Sequence, residues 1–167
     1  MKNLTLAVIL SGLFSIAAVG ADTESCPYTL ASLVGNYAGT GTYGANVALA
    51  LFTRTYDGKG HFTNPFIVNE PVVGSPKGDR QIVTGTLTGT YKVNCDGSGT
   101  LHKLVVTSTG VHVYSNDHFT ITGAQWINGQ LIGTSVDEAQ DTPSAIVPGG
   151  VFLIRHVTRL PDIDGTE

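Results

Sequence analysis

The sequence predicts an all-β protein, an eight-stranded antiparallel up-and-down barrel, with a β-sandwich as the alternative. Three observations carry that expectation. Gly and Thr are each present 21 times in 167 residues, a composition that suits strands and turns and disfavours a helical bundle. Asp-Gly and Asn-Gly turn signals recur at Asp57-Gly58, Asp96-Gly97 and Asn128-Gly129, supplying the positive φ angles of tight hairpins. Between them the chain alternates with period two and shows no helical stripe longer than two turns.

The clearest alternation runs from Thr84 to Val93. Thr84, Thr86, Thr88 and Thr90 share one face; Gly85, Leu87, Gly89, Tyr91 and Val93 share the other. Asp96-Gly97-Ser98-Gly99 then turns the chain back into a strand over 100–107. Similar patterns predict strands near 33–43, 46–56, 60–68, 117–124, 130–137 and 150–160. Short turns favour a meander. In-strand glycines at 35, 39, 85 and 89 permit tight coiling and would leave room inside. Closure would also remove exposed edges, which carry few guarding Lys or Pro residues here. Two longer connections, Asn69–Asp79 and Glu138–Gly149, each contain two prolines and are the loops expected to carry any function.

The first twenty residues read as a secretory signal peptide. Lys2 supplies the positive start, Leu4–Ala18 the apolar segment, and Ala18, Gly20 and Ala21 the small residues of a cleavage site. About 15 apolar residues fall short of the ~20 that span a bilayer. Cleavage after Gly20 leaves 147 residues with 8 basic and 13 acidic groups, a formal charge of −5. The mature chain has no second long apolar segment and is expected to be soluble, in the periplasm or outside the cell. Its negative charge gives no basis for binding nucleic acid. Residues 21–31 form a lead segment, 32–160 the barrel, and 161–167 an acidic tail. The two cysteines, Cys26 and Cys95, are expected to pair, because an even count in an exported chain favours a disulfide. No His lies near either one to suggest zinc.

Three stretches resemble a family. They are Ser32–Gly39, Tyr56–Phe62 and Leu87–Leu101, which together look like small exported bacterial β-barrel proteins similar to the allene oxide cyclase-like and lipocalin-like barrels of calycin type. The resemblance implies a barrel with a ligand-holding interior. It carries over no catalytic residues, although cyclases of that kind act on a fatty-acid epoxide inside the barrel.

No nucleophile elbow, phosphate loop or His-Glu-x-x-His motif is present. No cofactor or metal is expected. His112 and His118 flank Asp117, but that spacing reads as a solvated loop, since a metal needs three or four converging ligands. Arg54 shares a strand face with Ala48, Ala50, Phe52 and Tyr56. His102 shares its phase with Leu104 and Val106, and His156 with Phe152 and Ile154, so both are expected to point inward. Arg54, Tyr56, His102 and His156 are therefore the candidate ligand-binding residues, because a buried charge must be paired or hydrated. The expected function is binding of a small, largely apolar ligand. The alternatives are a cyclase or isomerase working in the cavity, and a structural barrel with a filled interior. The exported protein should begin at Ala21 or Asp22, checked by intact mass; recovery of a cytosolic chain starting at Met1 would contradict the leader.

Overall fold

The computed structural model describes residues 26–45 and 47–162; the expected leader and residues 163–167 of the tail lie outside them. A short 3-10 turn, Leu30–Ser32, precedes eight strands: β1 (Val34–Tyr43), β2 (Ala48–Asp57), β3 (His61–Pro71), β4 (Arg80–Val93), β5 (Ser98–Thr107), β6 (His112–Ile127), β7 (Gln130–Gln140) and β8 (Leu153–Arg159). Each pairs antiparallel with the next, and β8 returns to β1, closing the barrel. The sandwich alternative is therefore set aside. No helix among the described residues is long and apolar enough to cross a membrane.

Every expected strand is present, and the expected turns separate them. At Asn128-Gly129 both residues take positive φ, 50° and 78°, as a two-residue hairpin turn requires. The main departures are extensions. β6 begins at His112, so the stretch read as a loop between His112 and His118 is strand. β4 begins at Arg80, so the first long connection shrinks to residues 72–79, while the second keeps its length but lies three residues further on, at 141–152.

Antiparallel order puts successive connections at opposite ends. The turns 58–60, 94–97 and 128–129 share one end with the 3-10 turn. Connections 44–47, 72–79, 108–111 and 141–152 share the other. The first end is plugged. Leu33 is fully buried there among Tyr37, Tyr56, Phe62, Tyr91 and Leu101. The Tyr91 hydroxyl lies 2.9 and 2.8 Å from the carbonyls of Leu30 and Leu33, and Tyr37 donates to the Gly133 carbonyl at 2.7 Å. A Cys26–Cys95 disulfide fastens the lead segment to the β4–β5 turn at this end, as parity suggested, with a Cα–Cα distance of 4.6 Å. Closing a loop of that length stabilises by ~4 kcal/mol on the chain-entropy account.

One expectation about the interior is reversed. The in-strand glycines do not leave space; aromatic rings fill it. Phe52 opposes Gly39, Phe66 opposes Gly85, Phe62 opposes Gly89 and Phe119 opposes Gly99 across neighbouring strands. A Cβ on Gly39 would sit 2.3 Å from the Phe52 ring, and one on Gly99 2.2 Å from the Phe119 ring. The missing side chain lets the ring lie flat on the sheet, the arrangement by which aromatics compensate strand glycines. At Gly89 the obstruction is backbone: a Cβ would fall 2.1 Å from the His102 carbonyl oxygen and 2.8 Å from the Lys103 Cα. Neither atom can yield without separating β4 from β5. Gly89→Ala should therefore destabilise the barrel by about 3 kcal/mol, the upper range for overpacking, read as a lower urea midpoint with an unchanged slope.

Candidate functional site

The interior holds a layer of charge at mid-height. Arg54 on β2 is fully buried and forms a two-pronged ion pair with Glu138 on β7. Its Nη1 also donates to the Tyr56 hydroxyl at 2.7 Å, and its Nε to Asn64 Oδ1 on β3 at 2.8 Å. Glu138 lies 3.5 Å from Arg155 on β8. Arg155 in turn pairs with Asp117 on β6, and Asp117 with Lys103 on β5. The result is one chain of alternating sign, Arg54–Glu138–Arg155–Asp117–Lys103, with three cations and two carboxylates in direct contact. All five residues are at most 5% exposed. The charge on this chain is +1, and the unmatched cation is Lys103 at its end. Among the described residues Lys103 Nζ has no partner beyond Asp117. The third buried carboxylate, Glu70, stands apart near the loop end of β3, where it accepts from Gln81 at 2.9 Å.

Electrostatics follow from that arrangement. Burial works against the Arg54 charge, but Glu138 and Tyr56 together outweigh it and raise the Arg54 pKa. Burial likewise opposes the Asp117 charge, and Arg155 and Lys103 together overcome it, holding Asp117 below the ordinary carboxylate range. Lys103 has the opposite balance. Burial and then the neighbouring Arg155 guanidinium press its pKa down to about 8, against the smaller pull of Asp117. Burial pushes Tyr43 at the loop end up to about 12.

Above the charged layer, toward the long loops, lies a cavity of about 50 Å³. Lys103, Arg155 and Asn64, with Ser115 and Gln140, contribute polar lining; Phe52, Phe66, Leu87, Val105 and Leu153 contribute apolar wall. Residues Thr142–Ile146 of the 141–152 connection line its roof. That connection is folded over the mouth. It buries Val147 completely, turns on a Ser144 N–H donation to the Val151 carbonyl at 2.7 Å, and carries Gly149 and Gly150 at φ 100° and 71°. The other long connection, 72–79, does not line the cavity.

The four residues singled out from the sequence divide into two pairs. Arg54 and Tyr56 point inward as expected, but they are engaged with each other and with Glu138 and do not line the cavity. His102 and His156 do not point inward. Both are exposed on the outer wall, His102 bonded to Asn116 at 2.7 Å and stacked on Tyr114, His156 bonded to Asp137 at 2.6 Å. The reason is that β5 and β8 carry apolar residues on both faces. Val106, Phe152 and Ile154, whose phase was read as inward, are 42, 47 and 62% exposed. The inward phase is Leu101, Lys103 and Val105 on β5, and Leu153, Arg155 and Val157 on β8. His112 and His118 also lie outside, whereas Asp117 lies inside, so the three do not converge.

The missed residues are Lys103, Arg155, Asp117, Glu138 and Asn64. A signal for Lys103 was present. Cross-strand partners share a face, and the β4–β5 hairpin pairs Tyr91 with Leu101 and Gly89 with Lys103. Carrying the secure β4 phase through the Asp96-Gly97 turn places Lys103 inside and His102 outside.

The charge on Lys103 gives stability a sign. An unfolded lysine keeps its proton to about pH 10.4, so between about 8 and 10 the unfolded chain binds more protons than the folded one, and stability rises with pH. Above 10 the buried tyrosines reverse this, because their raised pKa values favour the protonated folded state. The melting temperature of the protein should therefore climb by a few degrees from pH 7.5 to 9.5, at roughly 2–4 °C per kcal/mol. Lys103→Met should show no such rise.

Compared with known proteins, the chain matches no family model, no curated protein and no solved structure.

Proposed function

We propose that the protein is an exported barrel that binds a small, largely apolar anion in the cavity beneath the 141–152 connection, with Lys103 and Arg155 meeting the charged end. The carrying observation is the unmatched cation. Five buried charges in alternating order leave one positive charge in excess, and the Lys103 end of the file lines a largely apolar cavity. A buried cation with a single partner gains from a second anion. The walls then suit the rest of such a ligand, following the usual division between apolar lining and a few polar anchors. The leader-like N-terminus and the disulfide agree with an extracytoplasmic setting.

Size narrows the class. The cavity has room for roughly four waters, on the order of 120 Å³ of liquid, which matches a short-chain carboxylate such as butanoate. A longer tail requires Val147 and Ile146 to withdraw from the mouth. Titration by proton–nitrogen correlation spectroscopy should show butanoate shifting the amides of Val113, Ser144 and Ile146, and butylamine leaving them in place. Lys103→Met should weaken butanoate by about tenfold or more, a charge-assisted bond being worth roughly 1.5–3 kcal/mol. Absence of any shift with butanoate or hexanoate would return the protein to the filled structural barrel.

A further inference from the structure

Lys103 is the one lysine among the described residues that is buried; Lys59, Lys77 and Lys92 are exposed. It differs from them in three respects that bear on chemistry. It lines a cavity to which Phe52, Phe66, Leu87, Val105 and Leu153 contribute apolar wall. A guanidinium, Arg155, shares its carboxylate partner Asp117. A roof, residues 142–146, covers part of that cavity's mouth. Desolvation in an apolar pocket and a neighbouring cation are the two conditions that turn a lysine into a nucleophile toward carbonyl compounds.

We propose that Lys103 is a covalent capture site for short-chain aldehydes, which it holds as a protonated imine inside the barrel. This rests on the cavity's admitting a small ligand, as in the function proposed above. The ammonium first releases a proton to solvent, since Asp117, held ionised by Arg155 and Lys103, is a poor acceptor. The freed lone pair attacks the carbonyl carbon, a C–N bond forms, and the carbonyl electrons move to oxygen, which takes up a proton from that nitrogen. Nitrogen then expels that oxygen as water, which draws a proton from solvent for its departure, and a C=N bond replaces the C–O bond. The sum is one ammonium and one aldehyde giving one iminium and one water. Nothing is oxidised or reduced, and the charge stays at +1.

That last point is specific to this site. The iminium carries the same charge in the same place as the ammonium it replaces, so the ion pair with Asp117 and the rest of the alternating chain are kept. An exposed lysine gains no such partner and meets water that reverses the imine at once; enclosure protects reactive intermediates from hydrolysis. The depressed pKa of about 8 adds a substantial neutral fraction at physiological pH, where an ordinary lysine has almost none. The cavity volume selects for aldehydes of about four carbons, since the neutral carbonyl compound must fit in the space of roughly four waters.

The test uses the folded wild-type chain, butanal and cyanoborohydride at pH 7.5, with butylated peptides quantified by mass spectrometry over time. Lys103 should be butylated at least about tenfold faster than Lys59, Lys77 and Lys92, given its larger neutral fraction, and butanoate should slow that reaction while leaving the exposed lysines unaffected. Lys103→Arg, which keeps the charge, should show only the slow exposed-site background. Butylation of Lys103 no faster than of the exposed lysines overturns the capture site. If butanoate still shifts the cavity amides in that sample, the anion-binding function stands without it; if it does not, both fall.

Discussion

Five charges buried in single file organise this barrel. Arg54, Glu138, Arg155, Asp117 and Lys103 come from β2, β7, β8, β6 and β5, and Asn64 brings in β3. Six of eight strands thus meet in one layer. Each inner member of the file touches opposite charge on both sides, so losing any of them strands two neighbours rather than one. In a low-dielectric interior such a loss costs several kcal/mol. The layer also divides the interior. Below it, Tyr37, Tyr56, Tyr91, Phe62 and Leu33 pack into a solid plug; above it the walls are apolar and the space is incompletely filled.

That division assigns different work to the two ends. The plugged end has short turns, the 3-10 turn and the disulfide. The loop end has both long connections and the cavity. The face of Arg54 is covered by three aromatic rings, with its guanidinium carbon 5.2–5.4 Å from the centres of Phe52, Tyr56 and Phe62. Cation–π contact of this kind stabilises a desolvated guanidinium. Arg54 is thereby committed to structure, while Lys103, at the far end of the same file, is not.

How much of this was readable beforehand depended on whether a strand shows contrast between its faces. β4 alternates Thr with Gly, Leu and Tyr, so its phase was plain, and so was that of β2, where Ala48, Ala50 and Phe52 line up with Arg54. Strand count, turn positions and the pairing of Cys26 with Cys95 followed from equally local or parity signals. β5 and β8 gave no contrast, because Leu104, Val106 and Ile154 clothe the outside while Lys103 and Arg155 sit within. Period-two reasoning assumes apolar inside and polar outside, and here the inner layer is itself ionic. For β5 the hairpin register would have resolved the ambiguity. For β8 it would not: the 141–152 connection separates it from β7, where Glu138 opposes Arg155, and its other partner, β1, lies more than a hundred residues away. No local turn encodes its phase.

The four facing pairs of glycine and phenylalanine, 39 with 52, 85 with 66, 89 with 62 and 99 with 119, bear on how such a chain can change over generations. At 85, 89 and 99, however, a Cβ would also fall within 2.1–2.4 Å of a backbone oxygen of an adjoining strand, and shrinking the facing ring leaves that oxygen in place. These glycines are held by the sheet itself, while their phenylalanines answer only to packing. Related chains should therefore keep glycine at these three positions even as the facing ring is exchanged, a one-sided trace that marks neighbouring strands even where overall similarity has faded.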